Sequence, residues 1–265
     1  MLGDFHTHTR FSLDSDSAVE DMIEAAIAKK MAYLCITDHI DWDYPAGEDF
    51  DFSLEEYFEK LKECKKIYKE KIKLFIGVEL GLQPQLKVAY AKLLKDYPFD
   101  FVIGSTHLVN GKDPYYKETF EGHSDREIFQ SYFESTLKNV QTFSEYDSLG
   151  HLDYVVRYGQ KGAEDYNYES YKEVIDEILS CIVKENKALE VNMAGLRKKL
   201  GFPNPHYKVI KRFHDLGGKM ITIGSDAHRP GQMAFGFSKL KNILKEAGFD
   251  SYVRFEQRNP IFEKL

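Results

Sequence analysis

Short apolar runs alternate along the chain with longer segments in which apolar residues recur every three or four positions. The short runs, rich in β-branched and aromatic residues, predict β-strands, and the longer segments predict amphipathic helices. The predicted strands are residues 2–5, 32–37, 73–78, 99–105, 147–150, 188–191, 219–224 and 251–256. The predicted helices are residues 18–30, a segment that follows Ser53, and residues 85–94, 125–143, 168–185, 205–216 and 237–247.

Three helix starts carry the same capping signal. Ser17, Ser53 and Ser124 are each followed three residues later by glutamate, and this spacing predicts a capping box. In the helix after Ser53, the apolar face is predicted to contain Leu54, Tyr57, Phe58, Leu61 and Ile67.

Seven strand–helix units follow one another without a linker of flexible composition. Such alternation predicts an α/β protein with a parallel sheet. We therefore expect one domain, residues 1–265, folded as an α/β barrel. An open, doubly wound sheet is the structural alternative.

Histidines and carboxylates cluster at the ends of the predicted strands. Because side chains alternate along a strand, His6 and His8 point the same way. Barrel active sites lie at the carboxyl ends of the strands, where residues distant in sequence converge. Six imidazoles with several carboxylates exceed what one tetrahedral ion needs, so we expect two or three divalent metal ions. The residues at strand ends are His6, His8, His39, Glu79, His107, His151, Asp226 and His228.

Composition and charge indicate which partners and which cellular compartment to expect. The formal net charge of −7 argues against a general nucleic-acid binder. Cys35, Cys64 and Cys181 are odd in number and form no C-x-x-C unit, which is typical of free thiols in a reducing compartment. We expect the chain to begin with a strand and to carry no leader, and its sequence has no apolar run of bilayer length. We expect a cytoplasmic protein with a small-molecule substrate and no nucleic-acid or membrane partner.

Six motifs together resemble those of the polymerase and histidinol phosphatase (PHP) family along nearly the whole chain. The resemblance implies a distorted (βα)7 barrel with a trinuclear metal centre. The segment Glu190-x-Asn192-x-x-Gly195-Leu196-Arg197 is similar to the histidinol-phosphate phosphatase branch. The six motifs are His6-x-His8, Thr37-Asp38-His39, Glu79, Ser105-Thr106-His107, Gly150-His151-Leu152-Asp153 and Gly224-Ser225-Asp226-Ala227-His228.

The resemblance also implies three groups of metal ligands. At the third site many family members have histidine where this chain has Asp14, and a carboxylate is a harder ligand that favours Mn, Fe or Mg over Zn. Asp16 is the alternative to Asp14. Over the whole centre we expect Zn, Mn or Fe. The three groups are His6, His8, Glu79 and Asp226; then Glu79, His107 and His151; then Asp14, His39 and His228.

By the same resemblance, the protein is expected to hydrolyse L-histidinol phosphate to L-histidinol and phosphate, a step of histidine biosynthesis. Clustered ions activate water and neutralise phosphoryl oxygens, so we expect a metal-bridging hydroxide to attack phosphorus in line. Asp226, His228 and Glu79 are the expected catalytic residues. Guanidinium groups match phosphate oxygens, and we expect Arg197 first and Arg157 second to bind the phosphate.

Neighbouring residues have expected supporting roles. Asp38 and Asp153 adjoin ligands, and we expect them to orient imidazoles. The tyrosine-rich loop 109–122 is a candidate lid, and acidic residues of loop 41–51 are candidates to receive the substrate's ammonium group.

Three alternative functions remain open. Another PHP phosphoesterase would act on nucleotides or on protein phosphotyrosine. A metal-dependent amidohydrolase also has a His-x-His barrel, although its usual bridging lysine has no counterpart at a strand end here. A metal-bearing module without enzymatic activity is the third alternative.

Overall fold

The computed structural model describes residues 3–45, 51–164 and 166–265. Leu2 of the first predicted strand and residues 46–50 of loop 41–51 lie outside the described residues. The strands are β1 Tyr33–Ile36, β2 His39–Ile40, β3 Lys73–Gly81, β4 Phe101–Ser105, β5 Ser148–Leu149, β6 Ala188–Asn192, β7 Ile221–Gly224, β8 Ser251–Glu256 and β9 Asn259–Lys264. The helices are α1 Val19–Ala28, α2 Leu54–Tyr68, α3 Lys87–Asp96, α4 Asp125–Thr142, α5 Lys172–Lys184, α6 Ala194–Arg197, α7 Tyr207–Asp215 and α8 Leu240–Glu246.

The central sheet is parallel and curls into a barrel. Its strands follow the order β1, β3, β4, β5, β6 and β7, and β2 continues the line of β1 beside β3. Residues 3–8 close the ring. The Cys35 amide donates to the Asp4 carbonyl oxygen at 2.9 Å, and the Phe5 amide donates to the Ile223 carbonyl oxygen at 3.1 Å. The predicted α/β barrel is therefore confirmed, and the open sheet is wrong.

Two of the three predicted helix caps are confirmed. Ser53 Oγ accepts a hydrogen bond from the Glu56 amide at 3.2 Å, which is one half of the predicted capping box, and Ser124 forms the complete capping box with Glu127. The prediction at Ser17 is wrong, because α1 begins after Ala18 without a side-chain cap. Ser17 Oγ instead donates to the His228 carbonyl oxygen at 2.8 Å, which ties this loop to the carboxyl end of the barrel.

Helices cover the outside of the sheet, each with one buried face. α2 buries Leu54, Tyr57, Phe58 and Leu61 as predicted. The assignment of Ile67 to this face is wrong, because Ile67 is 62% exposed. Among the described residues, no helix combines the length and the apolar character that a membrane span requires.

A hairpin of β8 and β9 closes the amino end of the barrel. Val253 and Phe255 of β8 join an apolar cluster with Phe5 and Phe101, and the rings of Phe101 and Phe255 stack at 5.2 Å between centroids. β8 was predicted, whereas β9 was not. The residue pair between the strands, Gln257-Arg258, has positive φ angles of 48° and 65° without the glycine or asparagine that normally signals such a turn. The hairpin thus covers the amino end of the barrel, opposite the end where the strands finish.

Candidate metal centre

The polar residues that follow the strands surround one cleft of about 420 Å³ at the carboxyl end of the barrel. Sheet register brings some of them side by side: His39 on β2 pairs with Glu79 on β3. His107 follows β4, and His151 follows β5. The structure brings together all the residues to which the resemblance gave a metal-binding role, namely His6, His8, Asp14, His39, Glu79, His107, His151, Asp226 and His228.

Glu79 lies at the centre of this group and is 2% exposed. Its Oε2 lies 3.0 Å from His6 Nε2 and 3.5 Å from His8 Nε2. Its Oε1 lies 2.9 Å from His151 Nε2 and 3.2 Å from His107 Nε2. Burial raises the pKa of the Glu79 carboxyl, but the imidazoles, His6 foremost, hold it well below its ordinary value. The two oxygens of one carboxylate therefore face different pairs of imidazoles, an arrangement suited to bridging two cations.

Glu190 orients His6 and was missed as a site residue in the sequence. Its Oε1 lies 2.6 Å from His6 Nδ1, and its Oε2 accepts a hydrogen bond from the His151 amide at 2.8 Å. A proton on Nδ1 leaves the Nε2 lone pair of His6 directed at the centre. The available signal was a charged residue in the middle of a short, mostly apolar strand, where a buried charge requires a partner.

Asp41 orients two imidazoles at once. Its Oδ2 lies 2.7 Å from His39 Nδ1, and its Oδ1 lies 2.7 Å from His107 Nδ1. Burial raises the pKa of Asp41, but its ion pairs with both histidines hold it at about 2. Both oxygens of Asp41 thus face metal-centre imidazoles. The role of loop 41–51 in receiving the substrate's ammonium group stays a prediction.

Asp14 lies between two imidazoles at the edge of the centre. Its Oδ1 is 3.1 Å from His39 Nε2, and its Oδ2 is 3.1 Å from His228 Nε2. Asp14 is 52% exposed, so this part of the centre opens to the cleft. Asp14, and not Asp16, occupies the position between these rings.

Asp226 joins the histidines to a guanidinium. Its Oδ1 lies 3.6 Å from His8 Nε2 and 3.5 Å from His228 Nδ1, while its Oδ2 accepts a hydrogen bond from Arg157 Nη1 at 2.9 Å. The backbone of Asp226 has φ +53°, a conformation that L-residues adopt rarely. Its amide donates to the His6 carbonyl oxygen at 2.8 Å, which helps to hold this turn.

The donor atoms fit divalent metal ions. His8 Nε2 is buried, and no hydrogen-bond partner reaches it among the residues the structure describes. Burial, with the neighbouring His228, keeps the pKa of His8 well below its ordinary value. The other ring nitrogen, Nδ1, lies 3.0 Å from Ser12 Oγ, whose own proton is donated to Asp38, so a proton on Nδ1 leaves the lone pair of Nε2 free for a cation. Mixed imidazole and carboxylate donors suit zinc, manganese and iron. Ligand atoms lie within 4.8 Å of one another in four groups: His8, His39 and His228; His6, Glu79 and His151; His6, His8 and Asp226; and His39, Asp41 and His107.

Both predicted arginines line the cleft, each held by the protein. Arg157 donates from Nε to Asn204 Oδ1 at 2.8 Å and from Nη2 to Asn192 Oδ1 at 3.1 Å. Arg197 donates from Nη1 to the Ser225 carbonyl oxygen at 2.7 Å, and from Nη2 to the carbonyl oxygen of the next residue at 2.8 Å. Each guanidinium has five N–H groups, so both keep donors for a ligand.

The hydrogen bonds of Asp38 and Asp153 do not match the prediction that these two residues orient imidazoles. Asp38 accepts hydrogen bonds from Thr9 and Ser12, and so shapes the loop that follows His8. Asp153 accepts a hydrogen bond from Asn204 Nδ2 at 2.5 Å, and thereby supports the residue that holds Arg157. Their described hydrogen bonds thus stabilise the surrounding loops rather than the rings.

The candidate lid also reaches the cleft. Asp113, Tyr115 and Tyr116 of loop 109–122 line its outer part. The loop is more ordered than predicted, since it contains a short 3₁₀ helix, Lys117–Phe120.

Comparisons with known proteins agree with this geometry. A sequence profile of the PHP domain matches residues 4–194. A protein of Clostridium acetobutylicum named as a probable histidinol-phosphatase is 37% identical over 247 residues, which cover 93% of each chain. The crystal structure of histidinol phosphate phosphatase from Lactococcus lactis, complexed with zinc, L-histidinol and phosphate, has a TM-score of 0.90, 32% identity and 98% coverage of both chains. The chain described here belongs to the PHP domain family.

Proposed function

We propose that this protein is a metal-dependent phosphatase that hydrolyses L-histidinol phosphate. The observation that carries the proposal is a buried cluster of imidazoles around Glu79, joined through Asp226 to the guanidinium of Arg157. The names of the relatives and the ligands bound to the Lactococcus lactis protein support the same substrate. The reaction is a step of histidine biosynthesis.

The described donors suggest how metal ions would be held. His6, His8, Glu79 and Asp226 would hold one ion, Glu79 with His107 and His151 a second, and Asp14 with His39 and His228 a third. Bound divalent ions would supply water of lowered pKa and would neutralise charge on the phosphoryl oxygens. Glu190 and Asp41 keep the Nδ1 atoms of three of these histidines occupied, so that each Nε2 faces the centre.

The protein's own residues would place the phosphate against this centre. Arg157 is fixed by three side chains, and its remaining N–H groups would bind phosphate oxygens beside Asp226. Arg197 would contribute a second set of donors from the same wall. Asp226 contacts both His8 and Arg157, and Glu79 and His228 lie among the same donor atoms. These contacts support the catalytic role expected for the three acidic and imidazole side chains.

We further propose that residues 1–265 work as one domain, because the ring contains both residues 3–8 and β7, near opposite ends of the chain. Cys35, Cys64 and Cys181 are all free thiols, which supports a reducing compartment such as the cytoplasm. The acidic net charge and the small cleft support a small phosphomonoester as the partner rather than a nucleic acid.

The test is phosphate release from a panel of phosphomonoesters by protein loaded separately with zinc, manganese and iron. The panel contains L-histidinol phosphate, p-nitrophenyl phosphate, a nucleoside monophosphate and a phosphotyrosine peptide. We expect kcat/KM for L-histidinol phosphate to exceed the others by at least about 100-fold, because even one well-placed contact with the leaving alcohol supplies discrimination of this order. A Glu79→Gln variant purified in parallel controls for contaminating phosphatases. A flat profile, or a preference for another panel member, would refute the proposed substrate.

A further inference from the structure

Two buried asparagines hold the guanidinium of Arg157 along one edge. Asn204 Oδ1 accepts a hydrogen bond from Arg157 Nε at 2.8 Å, and Asn192 Oδ1 accepts one from Arg157 Nη2 at 3.1 Å. Nε and Nη2 lie on the same edge of the guanidinium, so the two amides fix both its position and its plane. Both asparagines are 0% exposed, and the side chain of Arg157 is 5% exposed. The orientation of this arginine is therefore set by the protein and not by solvent.

Backbone pairing brings the two asparagines side by side. The Asn192 amide donates to the Asn204 carbonyl oxygen at 2.8 Å, and the Asn204 amide donates to the Asn192 carbonyl oxygen at the same distance. In such an antiparallel pair both side chains leave the backbone on the same face, so both can reach one guanidinium. Gly195 permits this pairing, because a Cβ there would lie 2.5 Å from the Phe202 carbonyl oxygen and 3.0 Å from the Asn204 nitrogen.

Each asparagine also donates to a buried acid. Asn204 Nδ2 donates to Asp153 Oδ1 at 2.5 Å, and Asn192 Nδ2 donates to Glu190 Oε2 at 3.2 Å. The other oxygen of Asp153 accepts a hydrogen bond from the His206 backbone amide at 2.8 Å, which fixes this acid in turn. A carboxylate offers only acceptors, so the amide beside it must turn its NH₂ group toward the acid and its oxygen toward the guanidinium. The acids thereby decide which end of each amide faces the arginine.

The neutral amides preserve the charge that a phosphate requires. Among its described hydrogen bonds, Arg157 contacts one carboxylate, that of Asp226, and two uncharged amide oxygens. The charges of Asp153 and Glu190 lie one amide group further away. Carboxylates in place of the amides would compensate the guanidinium charge and so weaken its attraction for a phosphate dianion. The amides therefore orient Arg157 without neutralising it.

We propose that Asp153 is a positioning residue that acts through Asn204 to direct Arg157 at the phosphate of the substrate. Glu190 acts in the same way through Asn192, on the second N–H group of that edge. This inference rests on the proposed function, in which Arg157 binds the phosphate. It gives Asp153 a role that depends on the orientation of an amide and not of an imidazole.

The experiment measures the Kd of inorganic phosphate for the metal-loaded enzyme by isothermal titration calorimetry. Asp153→Asn keeps the shape, but its NH₂ group faces Asn204 when its oxygen accepts from the backbone amide of His206. Asn204 must then turn its own NH₂ group toward Arg157, where two donors oppose each other. We expect the Kd to rise about 10-fold, as weakening of one charge-assisted contact implies. Asn204→Ala removes the same acceptor directly and should raise the Kd to a similar extent.

A double-mutant cycle separates this role from a general effect on the fold. Arg157→Ala alone should raise the Kd about 10- to 100-fold. In that background Asp153→Asn should raise it by less than about 2-fold more, because the arginine through which Asp153 acts is gone. Asn204→Ala enters the same cycle and replaces Asp153→Asn if that variant does not fold. Asp147→Asn is the matched control: Asp147 is a buried acid just before β5, whereas Asp153 follows β5, and its loss should leave the Kd unchanged.

The outcomes separate the positioning role from the proposed function. Wild-type Kd in either folded single variant, Asp153→Asn or Asn204→Ala, overturns the positioning role alone, and so does a fully additive effect with Arg157→Ala. Wild-type Kd in Arg157→Ala overturns phosphate binding by this arginine and the positioning role with it. A coupled effect on the Kd in an enzyme that does not hydrolyse L-histidinol phosphate overturns the proposed substrate and supports the positioning role.

Discussion

Replacing Asp41 by asparagine tests whether this buried acid sets the protonation state of two histidines of the candidate metal centre. Asp41 is 3% exposed, and its two oxygens each lie 2.7 Å from an Nδ1 atom, one of His39 and one of His107. Asparagine offers one oxygen acceptor and an NH₂ donor in the same shape. One imidazole therefore keeps its Nδ1–H, while the other must present Nδ1 as an acceptor. That ring then carries its proton on Nε2, which points into the centre and can no longer bind a cation.

The expected loss of metal affinity can be estimated from this replacement of an oxygen acceptor by an NH₂ donor. Loss of an outer partner of a metal-bound histidine typically lowers metal affinity about 10- to 100-fold, which is about 1.4–2.7 kcal/mol. We expect Asp41→Asn to weaken binding by this amount, with a matching loss of activity at limiting metal. Competition against a chromophoric chelator measures the affinity, and elemental analysis measures metal per protein. Circular dichroism of the metal-free variant checks that the fold is intact.

The matched control is Asp43→Asn, an exposed acid two residues away, which should bind metal like the wild type. Wild-type affinity and metal content in Asp41→Asn would refute the view that Asp41 sets the tautomers of these rings.

Two further predictions concern the carboxylate proposed to bridge two metal ions and the hairpin at the opposite end of the barrel. Glu79→Gln should lower both metal content and turnover, because it removes the buried negative charge that faces four imidazoles; loss of one partner of a buried ion pair costs about 3–5 kcal/mol of interaction free energy. Wild-type metal stoichiometry in this variant would contradict the bridging role. Phe255→Ala should lower the free energy of unfolding by about 3–5 kcal/mol, since this 3% exposed ring stacks on Phe101 in the barrel interior. Urea unfolding measures this loss, and Phe262→Ala, at a 55% exposed position on the same hairpin, should change stability by less than about 1 kcal/mol. Equal effects of both phenylalanine variants would show that the hairpin does not close the barrel as described.

Much of the fold could be predicted because its signals are local. The strands of the ring are buried on both faces, so their sequences are short apolar runs. Ser53 and Ser124 could be identified as helix caps because each contacts a residue within the first turn of its own helix. Where a residue contacts a distant part of the chain, the local sequence pattern gives a wrong prediction. Ser17 matches a capping box, yet its hydroxyl donates to the carbonyl oxygen of His228. The strand β9 escaped prediction because the preceding turn lacks the usual turn residues.

Most residues around the cleft can be identified from the strand ends in the sequence, because parallel strands present their carboxyl ends at one edge whatever their exact register. Histidines and acids at those ends must therefore meet. The orientation of these side chains could not be predicted, since the tautomer of each imidazole depends on partners far away along the chain. Glu190 reaches His6 across 184 positions, and Asp41 reaches His107 across 66. Those pairings exist only once the sheet has closed.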